Sequence, residues 1–116
     1  MRIGVPKEIK THEYRVGLTP ASVRELVEHG HEVLIETDAG DPIGLVDAMY
    51  QSAGARIAAN AAEVFAAAEL IVKVKEPQAE ERARLRADQV LFTYLHLAPD
   101  PEQTRDLMAS GCVAIA

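Results

Sequence analysis

The chain has 116 residues, 48% hydrophobic and 26% charged, with a formal net charge of -6, the mix of one ordinary globular domain. The acidic balance argues against nucleic acid as a partner, because such readers carry a basic face, and the single cysteine, Cys112, excludes an internal disulfide. No apolar stretch is long enough to span a membrane, and the start lacks the apolar core of a signal peptide, so a cytoplasmic protein with no membrane partner is expected.

In chain order, Arg2 to Val5 reads as a short strand closed by Pro6, followed by a polar loop from Lys7 to Leu18. Thr19-Pro20 is a helix start, a capping hydroxyl followed by a proline whose missing N–H costs nothing at the first helical position. Val23, Leu26 and Val27 share one face of that helix, and Gly30 ends it by accepting the left-handed conformation. His31 to Glu36 is a second strand, and Asp38 to Gly44 is a loop. Asp47 is expected to cap a short helix that ends at Gly54, before a weak strand from Ala55 to Ala58. Asn60 caps an alanine-rich helix reaching about Ala68.

Leu70 to Val74 is the clearest buried strand. Glu76-Pro77 breaks it, and Ala79 to Leu85 reads as a charged, exposed helix. Val90 to Thr93 is a strand and Tyr94 to Pro99 a loop. Asp100-Pro101 starts a last helix that Gly111 ends. Cys112 lies in an apolar run, where a buried, inert thiol is expected. Val113 to Ala116 begins a strand that has nowhere to go.

This alternation of strand and helix predicts an α/β fold: a doubly wound, mainly parallel sheet, Rossmann-like or flavodoxin-like. No G-x-G-x-x-G follows a strand, and no phosphate-binding G-x-x-x-x-G-K-[ST] occurs. The fold is therefore expected without a dinucleotide-binding glycine loop. No repeat, low-complexity segment or interdomain linker is evident, and the stop inside a strand-like run suggests a fragment of a longer chain.

Ligands of such sheets sit outside the carboxyl ends of the strands. Arg15 lies in the loop after the first strand, Lys75 directly follows Leu70–Val74, and His96 follows the strand ending near Thr93. A guanidinium and an ammonium suit a small carboxylate, and a nearby imidazole can move a proton. Each residue also has a bland reading. Arg15 could be a solvated loop cation, Lys75 could merely pair with Glu76, and His96, between Leu95 and Leu97, could be a hydrogen-bonded core histidine. Lys73 alternates with Lys75 and is expected to point away from the apolar row or to an edge. His12, His29 and His31 read as surface residues. No spacing of Cys, His and Asp suggests a metal site.

Several blocks resemble alanine dehydrogenases: Met-Arg-Ile-Gly-Val-Pro-Lys-Glu at the start, Glu13 to Pro20, Gly30-His31-Glu32-Val33, Ser52 to Ala55, Leu70 to Pro77, and Leu91 to Ala98. The superfamily they resemble also holds the alpha chain of nicotinamide nucleotide transhydrogenase and the lysine-forming saccharopine dehydrogenases. The transhydrogenase pattern has a small or amide residue at the position of Lys75 and an aromatic-proline stretch around His96. Saccharopine dehydrogenases differ around both residues.

The resemblance to alanine dehydrogenases implies NAD-linked, reversible conversion of L-alanine to pyruvate and ammonium. It implies that Arg15 binds the substrate carboxylate and that Lys75 holds the carboxylate or the carbonyl oxygen. It implies that His96 is the acid-base group. Residues 1–116 would be the amino-terminal segment of the substrate domain, NAD would be bound by a domain outside these residues, the segment alone would be inactive, and the full-length protein would be a hexamer. Two alternatives stand beside this: a non-catalytic nucleotide-binding part of a transhydrogenase, and a stand-alone module that binds small acids.

Overall fold

The computed structural model describes every residue from Met1 to Ala116. Six strands alternate with five helices: β1 (Arg2–Val5), α1 (Pro20–Glu28), β2 (Glu32–Glu36), α2 (Asp47–Ser52), β3 (Arg56–Ala58), α3 (Ala61–Ala67), β4 (Leu70–Val72), α4 (Ala79–Arg82), β5 (Val90–Phe92), α5 (Pro101–Ser110) and β6 (Val113–Ile115). A short 3-10 turn, Asp41–Ile43, lies between β2 and α2. All strand pairs are parallel and form one sheet in the order β3-β2-β1-β4-β5-β6. This is the doubly wound fold predicted, in the Rossmann order rather than the flavodoxin order.

Strand alternation splits the apolar residues between two layers. Ile3, Val5, Val33 and Ile35 point to one face and pack with Val23 of α1 and Tyr50 of α2. Ile71 and Leu91 point to the other and pack with Val64 and Phe65 of α3 and Leu107 of α5. The crossover helix α3 lies very close to β1: a β-carbon on Gly4 would stand 2.7 Å from Ala68 Cβ and 2.8 Å from Val64 Cγ1. Only glycine permits that approach without displacing the helix. On the first face, Phe92, Val113 and Ile115 remain exposed.

The helix starts follow local chemistry. Thr19, Asn60 and Asp100 each accept a hydrogen bond from the N–H three residues on. Gly30, Gly54 and Gly111 hold positive φ just after α1, α2 and α5.

Four local expectations need correction. Asp47 is the first residue of α2, not its cap; its carboxylate instead accepts from the Thr37 hydroxyl at 2.6 Å and the Asp38 N–H at 2.9 Å. The segment from Ala79 is a four-residue helix, and its charges are not all exposed. Glu81 and Arg82 are buried, because Glu81 pairs with Lys73 and Arg82 with Asp106. Lys73 does not point to an edge: it is buried between two carboxylates. The terminal run from Val113 has a partner, pairing with β5 as the sixth strand. Cys112 is half-buried against the second layer.

Candidate functional site

The strand order reverses between β1 and β4, so the loops leaving these neighbours diverge and open a crevice at their carboxyl ends. In a dinucleotide-binding sheet the first of these loops is a short glycine-rich turn. Here residues 6–19 form a longer polar loop. Its anchors come from every neighbouring strand end.

At the start of the loop, the Lys7 N–H donates to Glu36 Oε2 at the end of β2, 2.6 Å away. Burial raises the Glu36 carboxyl above its usual range, and the Lys7 N–H works against that rise. Further on, the Lys10 ammonium pairs with Glu76. Burial pushes the Glu76 carboxyl up, but the hydrogen bond from Lys10 and other favourable contacts outweigh it and leave the carboxyl below its usual range. At the end of the loop, Gly17 lies against the main chain of Val72, and the Tyr50 hydroxyl donates to the Leu18 carbonyl at 2.7 Å. Burial pushes that phenol up to about 12.

Glu8 is the innermost anchor. Its Oε1 accepts from Lys73 Nζ at 3.0 Å and from the Lys75 N–H at 3.1 Å, and its Oε2 accepts from the Val74 N–H at 3.0 Å. Lys73 Nζ also lies 3.0 Å from Glu81 Oε2, and the side chains of all three are at most 4% exposed. Burial raises the Glu81 carboxyl, with Lys73 opposing the rise. Such a buried charge cluster persists only when its members satisfy one another.

The three residues predicted to form the site stand on this edge. Arg15 lies in the loop after β1, Lys75 three residues past β4 and His96 four past β5. These strands are neighbours. Arg15 is well exposed and borders a cleft of about 270 Å³ shared with Lys7, Glu8, Glu13 and Pro42. Its guanidinium already grips one carboxylate: Nε donates to Glu13 Oε2 at 2.9 Å and Nη2 to Glu13 Oε1 at 2.8 Å. That fork is the largest cause holding the Glu13 carboxyl down at about 2, and Lys75 adds a smaller pull. A guanidinium has five N–H donors, so three remain for a ligand.

Lys75 does not pair with Glu76, whose partner is Lys10. The Lys75 carbonyl accepts from the Thr93 hydroxyl at 2.9 Å. His96 is not a core histidine. It is exposed, with φ at +52°, in the left-handed region that non-glycine residues enter at a cost. Sequence reasoning missed Glu8, Glu13 and Thr93. For Glu8 and Thr93, nothing local marks the contact; Glu13 at two residues before Arg15 was a readable signal, since such a pair can close a fork.

The carboxylates of Glu8 and Glu13 line the cleft, and loop 6–19 contains no Gly-x-Gly-x-x-Gly turn. Without that turn the loop does not offer a pyrophosphate the close backbone approach that it uses in a dinucleotide-binding sheet. Loop 6–19 therefore lacks the turn that would hold the pyrophosphate of NAD. No helix is long and apolar enough to cross a membrane.

Comparison with known proteins gives a consistent set of relatives. Residues 4–116 match the family model described as "Alanine dehydrogenase/PNT, N-terminal domain". Over its whole length the chain is 57% identical to an alanine dehydrogenase of Halomonas elongata, covering 31% of that protein. It is 52% identical to one of Bacillus subtilis, covering 30% of it. A solved L-alanine dehydrogenase superposes on the full chain with a TM-score of 0.97 and 53% identity, with 32% of that chain covered. A transhydrogenase from Sinorhizobium meliloti superposes with a TM-score of 0.93 and 28% identity, with 34% covered. The chain thus spans about a third of the length of the curated relatives that it matches.

Proposed function

The chain belongs to the alanine dehydrogenase/PNT N-terminal domain family, and from that premise we propose that it is the substrate-binding part of an NAD-dependent L-alanine dehydrogenase. The reaction converts L-alanine, NAD and water to pyruvate, ammonium, NADH and a proton, reversibly. NAD is assigned to a separate domain of the enzyme, outside residues 1–116, and the assembled enzyme is a cytoplasmic homo-hexamer.

In this reading Arg15 binds the substrate carboxylate through donors that Glu13 leaves free. Lys75 holds the carboxylate or the neighbouring carbonyl oxygen and stabilises negative charge as it develops there. His96 gives and takes the proton in the carbinolamine and imine steps. The observation that carries the reading is that two cations and an exposed imidazole follow the carboxyl ends of three neighbouring strands. The identity of 53% to an L-alanine dehydrogenase, against 28% to a transhydrogenase, favours it over a non-catalytic nucleotide-binding part. So does the presence of both Lys75 and His96, which hydride exchange between nucleotides does not need.

Steady-state kinetics on the complete enzyme test this. Arg15→Lys keeps the charge and loses the planar fork. The Michaelis constants for pyruvate and alanine are expected to rise while that for NADH stays put. Lys75→Ala is expected to lower turnover as well. An Arg15→Lys enzyme changed only in its NADH constant, or in neither, returns Arg15 to an ordinary surface cation.

A further inference from the structure

Lys75 sits three residues past the end of β4, where the last backbone bond from the β5 side runs from the Tyr94 N–H to the Val74 carbonyl at 3.3 Å. Its N–H donates to Glu8 Oε1 at 3.1 Å, and its carbonyl accepts from Thr93 Oγ1 at 2.9 Å. Both partners are side chains, and they come from opposite sides: Glu8 from the loop after β1, Thr93 from the residue after β5. The preceding Val74 N–H also ends on Glu8, at 3.0 Å. Glu8 and Thr93 are buried, 7% and 4% exposed. The Lys73 ammonium lies 3.0 Å from Glu8 Oε1 and the same distance from Glu81 Oε2.

We infer that Glu8 and Thr93 are positioning residues that clamp the main chain of Lys75 and so aim its ammonium at the substrate. The inference rests on the substrate-binding role proposed for Lys75. The buried Lys73 is the ballast of the clamp. It takes no part at the substrate, because its own carboxylate partners surround it. This gives Glu8 a purpose that the substrate contacts alone leave out.

The test is made in the complete enzyme with Glu8→Gln, Thr93→Val and Thr93→Ser, each alone and combined with Lys75→Ala. Glu8→Gln keeps one acceptor oxygen but turns an N–H pair toward a donor. Thr93→Val keeps the shape and loses the hydroxyl; Thr93→Ser restores it. Misplacing a reacting group by about an ångström costs on the order of a hundredfold. Glu8→Gln and Thr93→Val are therefore expected to lower kcat/KM for pyruvate by roughly ten- to a hundredfold. The Michaelis constant for NADH is expected to stay fixed, and Thr93→Ser to recover most of the loss.

In the Lys75→Ala background, neither change is expected to cost anything further, since the group they aim is gone. Full additivity there, or a Thr93→Val enzyme equal to Thr93→Ser, overturns the clamp. Should Glu8→Gln leave Lys73 so poorly paired that the protein does not fold, the Thr93 pair decides alone. A Lys75→Ala enzyme with normal turnover instead overturns the role of Lys75 itself, which separates the two failures.

Discussion

Gly17 lies so close to the main chain of Val72 that a β-carbon on it would stand 2.6 Å from the Val72 carbonyl oxygen and 3.0 Å from the carbonyl carbon. Both sides of that contact are backbone, so neither can turn away as a flexible side chain does. Gly17→Ala must push loop 6–19 off the end of β4, taking Arg15 with it. The expected cost is about 1–3 kcal/mol, the range for overpacking, together with a raised Michaelis constant for pyruvate. Thermal melting and substrate kinetics check this. A variant as stable as the parent with unchanged kinetics would show that the loop moves without consequence for the site.

His96 combines an exposed imidazole with a left-handed backbone at φ +52°. A non-glycine residue pays on the order of 1 kcal/mol for that conformation. His96→Gly removes the side chain and the strain together. Stability is expected to hold or rise by up to ~1 kcal/mol, while turnover of the complete enzyme falls by roughly a hundredfold or more, the scale of a positioned acid-base group. His96→Asn keeps a residue that tolerates the backbone angle and is expected to lose the same activity. The opposite pattern, stability lost and turnover kept, would make His96 structural.

Glu13 is held down at about 2, from an ordinary 4.5, first by the Arg15 fork. A depressed carboxyl contributes stability that is fully present above its unfolded value and is lost as pH falls toward its folded one. The window runs from about pH 4.5 down to about pH 2. Glu13→Gln is expected to be less stable than the parent above that window, with the difference shrinking through it. Urea unfolding across this range measures the difference directly. A gap that does not change with pH would mean that Arg15 does not hold the Glu13 carboxylate.

What was legible in the sequence was what physics makes local. Thr19, Asn60 and Asp100 each reach a donor three residues away, and the glycines at 30, 54 and 111 meet a backbone need in their own turn. The alternation of strand and helix made the parallel sheet predictable, and strand ends then located Arg15, Lys75 and His96. Pairing across the fold was not legible. Lys73 read as an edge residue because its carboxylates, Glu8 and Glu81, arrive from other elements. Glu81 and Arg82 read as solvated because a charge pattern looks the same whether its partner is water or another residue. Asp47 read as a cap, yet its carboxylate turns back to Thr37 and Asp38 at the end of β2.

The placing of β1 beside β4 also fixes when the site can exist. Glu8 and Val74 are 66 positions apart, and β2, β3, β4 and three helices lie between them in the chain. The units β1-α1-β2 and β2-α2-β3 close over short separations, but the crevice needs the crossover through α3 as well. Closing a long loop costs more entropy than closing a short one, and contacts of large sequence separation slow folding. A nascent chain that has emerged only as far as β3 carries Arg15 with nothing opposite it. Formation of the β1/β4 crevice is therefore a late event on the folding path, set by topology.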